Sequence, residues 1–122
     1  MRKFIMYKRV IEKIEGFLKK AIEYLKSVTL WSTSLSIPEG ESPSEMMESI
    51  ITYLQDLHDD IYDAKKTNNL SRKICNKWIS KIIFLRVILK KIDFGKHVIN
   101  KEQSLRELVR AEKFLIELRD DM

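Results

Sequence analysis

Seven cations and no carboxylate fall within residues 71–92 of this chain: Arg72, Lys73, Lys77, Lys81, Arg86, Lys90 and Lys91. Clustered Lys and Arg neutralise phosphates and release the counterions condensed on nucleic acid. The set is mainly Lys, which meets phosphate as a point charge and lacks the planar fork of Arg. Contact with an RNA or DNA backbone is therefore the expectation, and base-specific reading is not. A second charged set has the opposite sign. Asp56, Asp59, Asp60 and Asp63 recur at helical spacing, as a solvated face, a partner for the basic segment, or a docking site for a basic protein.

Residues suited to catalysis are sparse. His58 lies in Asp56-Leu57-His58-Asp59-Asp60. At helical spacing it flanks the apolar side, with the aspartates pointing away from it, which argues against a metal site. His97 sits between two helical segments with no nucleophile close in sequence. Cys75 is the single cysteine, so neither an intramolecular disulfide nor a cysteine-cluster zinc site can form. It reads as a small buried hydrophobe. No Gly-rich phosphate loop or nucleophile elbow is present. The expectation is a protein that is not an enzyme and has no cofactor and no metal; a metal-dependent enzyme at His58 is the distant rival.

Helices must position these groups. The 122 residues contain three glycines and two prolines, too few for the turns of an all-β fold. With 44% hydrophobic and 34% charged residues, the composition suits one helical domain over residues 1–122. The first helix is expected from about Phe4 to Val28, where Val10, Ile14, Phe17, Leu18, Ala21 and Leu25 recur at three- and four-residue steps. A loop with Trp31 and Ser36-Ile37-Pro38 follows, lying against the bundle. Ser42-Pro43-Ser44-Glu45 is a capped start to a second helix reaching about Lys66, with Met47, Ile50, Leu54, Leu57 and Ile61 inward. Ser71 caps a third helix to about Ile92, and Asn100 with Gln103 opens a fourth that runs to the C-terminus. Short connections among the last three make them antiparallel neighbours.

The third helix is apolar on more than one side. Ile74, Trp78, Ile82, Leu85, Leu89 and Ile92 form an inward face, while Ile83, Phe84, Val87 and Ile88 project elsewhere. A helix of a small bundle shows one side to water, so the second apolar face predicts contact with another subunit. Its longest uninterrupted apolar run, Ile82 to Leu85, is far short of the ~20 residues that span a bilayer. Glu12, Lys13 and Glu15 interrupt the run a signal peptide requires. The expected location is cytoplasmic, with no membrane partner.

Four features in order carry a resemblance: a loop with Ser36-Ile37-Pro38, a capped helix with Ser44-Glu45-Met46-Met47, a helix with Phe84-Leu85-Arg86-Val87-Ile88-Leu89, and the polar start Asn100-Lys101-Glu102-Gln103. Over about Lys8 to Leu118 the chain resembles the small four-helix bundles that include the accessory variability determinant of diversity-generating retroelements. The ribosomal intervening-sequence proteins are similar, but their Asn-Ile-Ala-Glu-Gly continuation after Ser-Ile-Pro is absent here. The resemblance implies a homopentamer with basic surfaces that binds a reverse transcriptase and its template RNA without being a catalyst. The acidic second helix departs from that pattern.

The sequence reading is thus an all-α, antiparallel four-helix bundle assembled into a homo-oligomer, a nucleic-acid-binding accessory protein. Arg72, Lys73, Lys77, Lys81, Lys90 and Lys91 supply phosphate contacts, and Arg86 supplies either phosphate or subunit contact. Ile83, Phe84, Val87 and Ile88 supply subunit contacts. The alternative is a protein-binding bundle, immunity- or antitoxin-like, that docks through Asp56, Asp59, Asp60 and Asp63.

Overall fold

The apolar residues at three- and four-residue steps do form helices. A computed structural model of the chain describes residues 2–28 and 43–122, with side chains for 7–28 and 45–122. It contains α1 (Arg2–Lys26), α2 (Pro43–Thr67), α3 (Arg72–Lys91) and α4 (Val98–Asp120), with a single 3-10 turn at Gly95–His97 leading into α4. No strand occurs among the described residues. The expected packing of Trp31, the Ser36-Ile37-Pro38 loop and the Ser42 cap lie outside them.

Local chemistry sets the boundaries. Asn68 adopts the left-handed conformation at φ 55°, and the next amide, Asn69 N–H, donates to the Ala64 carbonyl at 2.9 Å. This is the six-to-one closure that ends a helix, with Asn in the role Gly more often fills. Three residues later Ser71 caps α3: its backbone is extended, and its Oγ accepts from the Ile74 amide at 3.1 Å. The α3–α4 connection turns on Asp93, whose carboxylate accepts from the Gly95 amide at 2.8 Å, and on Phe94, which is buried. Lys101 Nζ donates to the Lys90 and Ile92 carbonyls at 3.1 and 2.5 Å. A cation there satisfies the end of α3 and opposes its dipole.

Asn100 corrects one expectation. It does not open α4, which begins two residues earlier at Val98. Asn100 Nδ2 instead donates to the Tyr24 carbonyl at 2.9 Å and to Ser27 Oγ at 2.7 Å, tying the start of α4 to the last turn of α1. The α1 carbonyls near that end lack helical partners, and the Tyr24 carbonyl accepts from both Ser27 Oγ and the Asn100 amide.

The core is built from all four helices. Ile14, Leu18 and Leu25 of α1, Leu54 and Ile61 of α2, Ile82 and Leu89 of α3, and Leu108 and Leu115 of α4 have no exposed surface. The inward residues expected for α3 are buried except Ile74, which is half-buried, and Cys75 and Ile79 join them. Packing is uneven. α1 and α4 form the most extensive pair, α3 lies against α4 and α2 against α1, and α2 and α3 scarcely touch. Ala21 of α1 and Ser104 and Ala111 of α4 are fully buried small residues, which lets helices approach closely. No described helix is long and apolar enough to cross a membrane.

Candidate nucleic-acid interface

α3 carries its cations because the core needs only one of its sides. At 100° per residue the buried positions Trp78, Ile82, Leu85 and Leu89 fall within one sector. Arg72, Lys73, Lys77, Lys90 and Lys91 fall outside it and are exposed. None of these five forms an ion pair among the described residues.

Two of the seven cations are engaged. Arg86 Nη1 donates to Glu112 Oε1 of α4 at 2.6 Å, and the side chains are 23% and 17% exposed. This short, charge-assisted bond is sheltered from water and joins two helices. Lys81 Nζ lies 3.7 Å from Asp60 Oδ2 of α2, a looser and wetter contact of the kind that adds little to stability. The acidic face of α2 therefore neutralises one α3 cation and leaves the others alone. Sequence reasoning gave Arg86 a phosphate or a subunit contact and missed Glu112, because partners 26 residues apart leave no local signal.

Three of the four apolar residues expected on a second face of α3 are exposed and one is not. Ile83, Phe84 and Val87 are 44%, 53% and 46% exposed. Ile88 is half-buried and packs on the core of its own chain. The Phe84 ring leans on Tyr53 of α2, with centroids 6.0 Å apart and planes at 48°. Val109 of α4, 42% exposed, adds to the apolar surface.

Asp56, Asp59, Asp60 and Asp63 are all exposed on α2. Asp59 points away from the apolar side, as its spacing implied, and still reaches His58. Its Oδ1 lies 3.2 Å from His58 Nδ1 and accepts from Gln55 Nε2 at 3.1 Å. The His58 contact, then the Gln55 bond, hold the Asp59 carboxyl below its ordinary value. Among the described residues no group of three His, Cys, Asp or Glu side chains gathers in a way that could hold a metal ion. Cys75 is fully buried, and burial pushes its thiol up; a thiol held protonated is a poor nucleophile.

One buried charge and one sheltered ion pair escaped the sequence reading. Glu107 of α4 is 4% exposed, and its Oε1 accepts from Arg110 Nη1 at 2.9 Å while Oε2 has no partner. Lys65 Nζ sits 2.9 Å from Glu15 Oε1, joining α1 to α2 through charge without an aligned hydrogen bond. Glu107 stands three residues from both Ser104 and Arg110 in a helix whose core face includes Ser104 and Leu108, so its step alone signals an inward position. Glu15 offers no such signal.

Comparison with known proteins gives no match: no family model fits the chain, and neither a curated protein nor a solved structure is similar to it.

Proposed function

We propose that this chain is a non-catalytic accessory protein that binds nucleic acid through α3, in the manner its resemblance to the retroelement accessory bundles implies. The carrying observation is the set of exposed, unpaired cations Arg72, Lys73, Lys77, Lys90 and Lys91 on one helix that has no acidic residue. Left without carboxylates, such a surface has a polyanion as its natural counterpart. On this reading the polyanion is RNA, the setting is copying by a reverse transcriptase, and the chain supplies contacts and no chemistry. Arg86 holds α3 to α4 and contributes no phosphate contact. Ile83 and Val87 serve as the contact with a second copy.

Titrating a labelled RNA at two or more salt concentrations tests the reading. Affinity should fall as salt rises, with a log–log slope of about −0.7 to −0.9 for each phosphate neutralised. Lys73→Glu combined with Lys77→Glu should abolish binding while leaving the helical circular dichroism intact. RNA indifference in the parent, or affinity unchanged in the double variant, overturns the proposal. Indifference to RNA together with capture of a basic protein would transfer the function to the acidic face of α2.

A further inference from the structure

The cations of α3 are not scattered over its outer surface. Taking 100° per residue, Lys73, Lys77, Phe84 and Lys91 lie within about 40° of one another, and all four are exposed. At 1.5 Å per residue, Lys77 and Lys91 stand about 10 Å to either side of Phe84, and the whole stripe is about 27 Å long. An aromatic ring, 53% exposed, is thus centred in a row of lysines. Val87 and Ile83 lie about 60° and 100° round the helix, toward α4, so the ring forms the α2-side border of the apolar pair assigned to a second copy.

The surroundings of Phe84 shape what it can receive. Its contact with Tyr53 supports the ring from the α2 side and leaves the rest of its surface open. Beyond Tyr53, a groove on α2 is lined by Glu48, Ser49, Thr52 and Asp56. Its carboxylates repel a phosphate backbone and confine it to the lysine row. Duplex nucleic acid keeps its bases stacked inside and offers a ring of this kind nothing to stack on. A single strand offers a base face at every nucleotide, and lysines to follow its phosphates are what such sites combine with aromatics.

We infer that α3 binds single-stranded nucleic acid, with Lys73, Lys77 and Lys91 along the backbone and the Phe84 ring stacked on an unpaired base. This rests on the reading of α3 as a nucleic-acid surface and adds the strandedness and the stacking residue.

The test compares the full chain and its Phe84→Ala, Phe84→Trp and Lys77→Gln variants on a 15-nucleotide oligouridylate, the matching oligodeoxythymidylate and a 15-base-pair RNA duplex. The parent should prefer either single strand to the duplex. Phe84→Ala should weaken single-strand binding roughly tenfold, leave the slope of affinity against salt unchanged, and leave duplex binding unchanged. Phe84→Trp should retain or improve affinity and show quenched indole fluorescence on binding. Lys77→Gln should make the salt slope shallower by about 0.7. A preference for duplex, or a Phe84→Ala variant that binds single strands like the parent, overturns the inference while the cationic surface stands. No binding of any of the three by the parent overturns both.

Discussion

Arg86 and Lys81 differ from the other α3 cations in having a carboxylate within reach, and the two pairs differ in exposure. The Arg86–Glu112 bond at 2.6 Å is largely sheltered, so removing one partner strands the other in a poorly solvated place. Arg86→Ala should cost about 1–3 kcal/mol in a urea melt, whereas Lys81→Ala, whose partner Asp60 is 52% exposed, should cost under about 1 kcal/mol. Replacing Arg86 and Glu112 together by Met and Leu should return most of the loss, since an apolar pair of similar size substitutes for a sheltered ion pair at little cost. Equal effects of Arg86→Ala and Lys81→Ala would show that burial does not separate them. At this scale the sequence identifies which residues are charged and leaves open which are spent on the fold: Glu112 and Arg86 become partners only when α3 and α4 lie side by side.

Helices are the part of the molecule most legible in advance, and their ends less so. Apolar steps located all four, and Ser71 was readable as a cap because a hydroxyl before an apolar run satisfies an otherwise orphaned amide. Ser71→Ala should lower stability by about 1 kcal/mol. Gly16 offers the opposite change. It lies inside α1, and a Cβ built there meets nothing within 4 Å, so Gly16→Ala should raise stability by up to about 1 kcal/mol through helix propensity and a less flexible unfolded chain. Thermal melts of the two variants check both, and a Gly16→Ala protein less stable than its parent would contradict the open space around that position. Asn100 misled because its sequence context is that of a cap, yet its amide is committed to Tyr24 and Ser27. A local rule fails where a distant backbone end lies within hydrogen-bonding distance.

The arrangement of the whole molecule determines what α3 can show to solvent. With α1 and α4 as the central pair and α2 and α3 on its flanks, α2 and α3 meet through Tyr53–Phe84 and Asp60–Lys81. On that side Lys81 meets Asp60 while Lys73, Lys77 and Lys91 form no ion pair among the described residues, and Ile83 and Val87 on the other flank remain exposed. For a second copy seated on that apolar pair, light scattering of the parent should give a multiple of 14.5 kDa, and Ile83→Asp with Val87→Asp should reduce it to the single-chain mass with unchanged helicity. A parent that already scatters as one chain would remove the self-association.

Residue order alone dictated an all-helical chain, the inward stripe of each helix and the division of charge into a basic α3 and an acidic α2, because helical periodicity and charge are properties of near neighbours. Which cations remain available, and that Phe84 stands exposed in a lysine row beside Tyr53 of α2, depended on helix packing. Packing brings together groups far apart along the chain, and ion pairs and burial are decided by distance in space.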